Sequence, residues 1–144
     1  MATGVQVVFD CADPDRMARF WAEALGYKLQ DPPPGFASWE DWAREQRIPE
    51  ERWNDVGAAV DPDGRGPRLY FQRVPEPKTV KNRVHLDLNI SGGPGTPLDE
   101  RRERVDAEVE RLTGLGATRL RAAEELGQYW VVMQDIEGNE LCVH

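Results

Sequence analysis

The chain has 144 residues, a net charge of -8, 40% hydrophobic and 31% charged side chains, which is the balance of a folded domain and excludes a disordered chain. One ordinary domain with a real core fits that length. The acidic surplus disfavours phosphate backbones, no apolar run reaches the length of a bilayer span, and the start "MATGVQVVFD" lacks the basic, apolar pattern of a secretion signal, so neither nucleic acid nor membrane is an expected partner and the expected location is cytoplasmic.

"VQVVFDC", residues 5–11, reads as a strand. In the helix that follows, Asp13 is placed to cap, Pro14 to occupy the first position and Gly26 to end it, with Met17, Phe20, Trp21, Ala24 and Leu25 forming one apolar stripe. "YKLQ" is a short strand stopped by "DPPPG". Residues 36–55 break the pattern as an insertion, in which Ser38 caps one short helix and Pro49 begins another, and Trp39, Trp42 and Trp53 lie close together. "VGAAV" and "RLYFQRV" are strands joined across "DPDGRGP", and "PEPKTVKN" is a linker.

The second half begins with the strand "RVHLDLNI", residues 83–90, whose alternation puts Val84, Leu86, Leu88 and Ile90 on one face and His85, Asp87 and Asn89 on the other. A helix from Thr96 and Pro97 to about Thr113 follows, with a Thr96/Asp99 capping box and Leu98, Val105, Val109 and Leu112 on its buried side. "ATRLRA", "QYWVVMQ" and "NELCVH" complete the chain as strands, the last two joined by "DIEG", which answers the earlier "DPDG". Strand, helix and three strands thus occur twice, over about 4–75 and about 82–144, within a single domain of the α+β class.

"VVFDCADPDRMARFWAEALGYKL", "GPRLYFQRVPEPKTVKNRVHLDL" and "DIEGNELCVH" together resemble the glyoxalase-like domain proteins of the vicinal oxygen chelate superfamily, over nearly the whole chain. The resemblance implies two βαβββ modules forming a half-barrel cavity, where relatives bind a divalent metal and chelate neighbouring oxygens of a substrate. Carried onto this chain, the family's metal-ligand positions fall on Gln6, Gln72, His85 and Cys142. It also implies a small-molecule ligand and a homodimer.

Strand parity independently gives Gln6 a face shared with Val8 and Asp10, Gln72 one shared with Arg68 and Tyr70, and Cys142 one shared with Glu140 and His144. Glutamine offers only a neutral amide oxygen, so His85 and Cys142 are the strong donors, suited to zinc or iron more than to magnesium or manganese, with Asp87 or Glu140 assisting. One divalent metal (zinc, iron, nickel or manganese) is therefore one expectation and no cofactor the other. In the second case His85 and Asp87 are hydrogen-bonding groups on a pocket wall, and Cys142 is an ordinary reduced thiol, as the lack of a CxxC spacing with Cys11 suggests.

His85, Asp87 and Glu140 are the candidate catalytic groups, and Asp10, Trp39, Trp42, Tyr70 and Trp130 the candidate pocket lining. A nucleophilic Cys142 needs a base, for which only His85 or His144 is available. The tryptophans of the insertion read either as a satellite core or as a lid. Two functions follow from the resemblance: a metal-dependent lyase or isomerase of the glyoxalase type acting on a small oxygen-rich metabolite, or a metal-free protein that binds or sequesters a small molecule.

Overall fold

A computed structural model describes residues 1–144. It contains two compact units, Met1–Pro77 and Lys78–His144, each a four-stranded mixed sheet with helix packed on one face.

The first unit runs β1 (Val7–Cys11), α1 (Pro14–Leu25), β2 (Lys28–Leu29), α2 (Trp39–Glu45), a 3-10 turn at Glu50–Arg52, β3 (Val56–Val60) and β4 (Leu69–Arg73). Its sheet order is β1-β4-β3-β2, with β1 and β4 parallel and the other pairs antiparallel. α1 forms where its caps require. The Asp13 carboxylate accepts the Arg16 N–H, Pro14 has no N–H that would need an acceptor at the first position, and Gly26 ends the helix in the left-handed region at φ 69°. Asn54, from the end of the insertion, reinforces this start: its Oδ1 accepts the Asp15 N–H and its Nδ2 donates to Asp13 Oδ1, both at 2.8 Å.

The stripe of α1 buries Met17, Phe20 and Trp21 against β4, where Phe9 stacks on Phe71 at 5.4 Å and tilts against Trp21 at 5.1 Å. Gly57 of β3 makes this approach close, since a Cβ there would stand 2.9 Å from the Pro14 carbonyl oxygen. In the insertion, the ring N–H groups of Trp39 and Trp53 donate to the carbonyls of Gln30 and Ile48, and Trp39 meets Trp42 edge-on at 5.5 Å. The second expected helix reduces to the three-residue 3-10 turn after Pro49.

The second unit repeats the order as β5 (Leu86–Leu88), α3 (Leu98–Gly114), β6 (Thr118–Glu125), β7 (Gln128–Gln134) and β8 (Glu140–Val143). Its sheet order β5-β8-β7-β6, with β5 and β8 parallel, matches the first sheet strand for strand. Val105, Val109 and Leu112 of α3 are buried, with Leu88, Val131, Met133, Leu141 and Val143 filling the same core. The answering turns share one device. Asp61 accepts the N–H groups of Asp63, Arg65 and Gly66, and buried Asp135 accepts those of Glu137 and Asn139.

Three local expectations are corrected. Pro97, which has no side-chain acceptor, occupies the cap of α3, so the Thr96/Asp99 box does not form and the Thr96 hydroxyl donates to the Gly93 carbonyl instead. Val84 is 82% exposed, because the β5 ladder begins only at Leu86 opposite Leu141. Leu98, at the first turn of α3, is only half-buried.

Candidate functional site

In the second unit the residues singled out by sequence converge on the sheet face opposite α3. Asp87 pairs in register with Cys142, and Cys142 with Val132. The pleat therefore sends His85, Asp87, Glu140, Cys142 and His144 to one side while Leu88, Leu141 and Val143 enter the core. Trp130, two positions from Val132, falls on the Cys142 side by the same register.

The centre of this face is Asp87. His85 Nε2 lies 3.2 Å from one carboxylate oxygen and His144 Nε2 lies 3.1 Å from the other. His144 Nε2 is buried and makes no hydrogen bond, facing the carboxylate as an ion-pair contact only. One ligating atom from each of His85, Asp87 and Cys142 lies within 4.8 Å of the others. Burial, and then the Asp87 carboxylate, push the Cys142 thiol up, outweighing the opposite pull of Lys81 and Arg121. Without a bound cation the thiol stays protonated, which counts against a nucleophilic role.

Glu140 is held differently. Its carboxylate accepts the Asn82 backbone N–H at 3.2 Å and pairs with Lys78 Nζ at 3.1 Å. Burial opposes its ionisation, but these bonds and the lysine charge prevail and hold it below the usual carboxylate range. The Asn82 side chain adds two bonds to the Glu140 backbone, Oδ1 accepting its N–H at 2.7 Å and Nδ2 donating to its carbonyl at 3.2 Å. This clasp fastens the start of the unit to β8. Asn82 drew no attention in the sequence, where it closes a linker, and a lone asparagine carries no signal of such a bond.

In the first unit, Asp10 and Gln72 are register partners on the exposed face, with Val8 opposite Tyr70 and Val56 opposite Gln72. Val8 and Val56, 49% and 48% exposed, make this polar face partly apolar. Gln6, just before β1, accepts a hydrogen bond from Arg68 at its Oε1, 2.9 Å away. Trp39 stays exposed on one side and Trp42 is half-buried.

The donor chemistry of the second unit fits a soft divalent cation. A tetrahedral ion with bonds of roughly 2.0–2.3 Å sets its ligand atoms roughly 3.3–3.8 Å apart; the 3.2 Å between His85 Nε2 and Asp87 Oδ1 is close to such an edge, while the three donors as a set lie within 4.8 Å. Imidazole, carboxylate and thiol together suit zinc or ferrous iron better than a hard ion.

A family model described as a glyoxalase-like domain matches residues 6–144. The chain belongs to the glyoxalase-like domain family. Solved structures of the vicinal oxygen chelate superfamily share the fold of this glyoxalase-like protein. A glyoxalase/bleomycin resistance protein/dioxygenase family enzyme from Burkholderia phytofirmans PsJN is 16% identical, with a TM-score of 0.61, over 96% of this chain and 94% of the other. The corresponding domain from Frankia sp. EAN1pec is 17% identical, with a TM-score of 0.59, over 99% and 97% of the two chains.

The fosfomycin resistance protein FosX of Listeria monocytogenes, in a mutant form complexed with Mn(II) and 1S,2S-dihydroxypropylphosphonic acid, is 12% identical, with a TM-score of 0.63, over 100% and 90%. No curated protein matches the chain. At such identities the structural likeness establishes the fold of the glyoxalase-like protein and leaves its chemistry to its own side chains.

Proposed function

We propose that this glyoxalase-like protein binds a small oxygen-rich molecule with a divalent cation held by His85, Asp87 and Cys142. The observation carrying the proposal is the meeting of those three donors within 4.8 Å. A bound ion of this kind supplies Lewis acidity toward neighbouring ligand oxygens. The reaction class in view is a lyase or isomerase step. In it His85, Asp87 and Cys142 would hold the cation, while Glu140, occupied by Lys78 and Asn82, keeps β8 in place. The thiol favours zinc or iron, and the Mn(II) in the FosX neighbour makes manganese the informative comparison.

The test is elemental analysis of protein purified without chelator. About one zinc or iron per chain is expected, lost in Cys142→Ser and in His85→Ala. A metal-free protein whose melting temperature ignores added zinc, iron, nickel and manganese overturns the reading.

The raised Cys142 thiol favours a second reading, because an uncharged thiol beside two imidazoles also serves as the wall of a metal-free binding site. Quenching of Trp130 fluorescence by a ligand in the presence of chelator distinguishes it. The exposed Val8 and Val56 support the pairing of two copies, for which light scattering should give twice the chain mass.

A further inference from the structure

Arg68 has no part in the cation site, yet its guanidinium is fixed from three sides. Nε donates to Gln30 Oε1 at 2.7 Å, Nη1 donates to Gln6 Oε1 at 2.9 Å, and Cζ lies 5.1 Å from the centre of the Tyr70 ring. Gln30 is anchored in turn, its N–H donating to the Ala58 carbonyl at 3.0 Å and its own carbonyl accepting from Trp39 Nε1 at 2.7 Å. All of these contacts are neutral. They orient the cation without cancelling its charge, in a chain whose net charge is -8.

A guanidinium has five N–H donors, of which two are used here, so three remain for a ligand. Gln6 is committed as well. Its amide oxygen, the one atom of that side chain able to ligate a metal, accepts from a cation, and the amide donors remain on an exposed residue. A half-buried, undischarged guanidinium beside a second set of N–H donors is complementary to an oxyanion, whose paired oxygens match the planar fork.

We propose that Arg68, oriented by Gln6, Gln30 and Tyr70, recognises the carboxylate or phosphoryl group of a small anion on the first unit, with Gln6 acting as a hydrogen-bond donor and not as a metal ligand. The proposal concerns the first unit alone and goes beyond the cation reading above. It reassigns the insertion too: through Trp39 and Gln30, the tryptophan-rich segment steadies the arginine.

The experiment titrates inorganic phosphate and sodium acetate separately into the metal-free full chain, at ionic strength held constant with sodium chloride. Nuclear magnetic resonance follows the Arg68 Nε–H and Gln6 side-chain amide signals. Both signals should shift saturably with at least one anion; tighter acetate assigns a carboxylate and tighter phosphate a phosphoryl group. Gln6→Glu sets a carboxylate against the guanidinium at nearly unchanged size, and should weaken the anion roughly tenfold or more. Arg68→Met should abolish saturation, with backbone amide dispersion confirming that each variant is folded.

No saturable shift with either anion, or undiminished binding in Gln6→Glu, overturns the proposal. His85, Asp87 and Cys142 take no part in this titration. Loss of metal in His85→Ala therefore leaves its result unchanged, and failure of the cation site is separable from failure of the anion site.

Discussion

Asp13 shows how much one side chain decides. It caps α1 and holds Asn54 with the same oxygen, and the Asn54 bond, opposed by burial and aided by the Arg16 N–H, lowers its carboxyl pKa. A folded-state value below the ordinary one adds stability above the usual carboxylate range, and that stability is lost as pH falls through the depressed value. Asp13→Ala should cost about 1 kcal/mol, measured by urea denaturation at neutral pH, and the gap between mutant and parent should narrow in acid. Cys142 titrates in the other direction. Its raised thiol pKa predicts slower alkylation by iodoacetamide at neutral pH than a free cysteine shows, rising with alkalinity, while buried Cys11 stays unlabelled by mass spectrometry.

Elements show where the sequence was legible. The α1 helix could be read almost to the residue, because its caps and its apolar stripe are local signals. The length of β5 could not, since Val84 alternates correctly with Leu86 and only the ladder to β8 determines which of the two is covered. The helix α3 misled for a related reason: Thr96 has the right chemistry to cap it, but Pro97 takes the position. At the candidate site, parity placed His85, Asp87 and Cys142 on one face, while the approach of His144 to Asp87 and the clasp of Asn82 on Glu140 depend on distances across strands.

Element packing carries its own predictions. Gly57→Ala would bring a methyl group against the Pro14 carbonyl and should cost about 1–3 kcal/mol by lifting α1 from β3. Asn82→Ala removes both side-chain bonds to the Glu140 backbone, worth about 1 kcal/mol each. Faster amide exchange confined to residues 78–84 and β8 should report that loss.

For the molecule as a whole, the same strand order occurs in both units, but their chemistry has diverged: the first carries amides, an arginine and Asp10 on its open face, the second imidazoles, the carboxylates of Asp87 and Glu140, and a thiol. No helix is long and apolar enough to cross a membrane. If a cation binds the second unit alone, zinc at a hundred times its dissociation constant should raise global stability by about 2.7 kcal/mol. Hydrogen exchange should then slow most at Leu86–Leu88 and Glu140–Val143.

The parallel pairing of β1 with β4 also matters while the chain is being made. Arg68 follows Gln6 by 62 positions, so a ribosome has released the first strand, with the aromatic ring of Phe9, well before its neighbour exists. Each half of the protein must wait for its last strand, and this long-range closure predicts slow refolding and nascent chains that depend on chaperones.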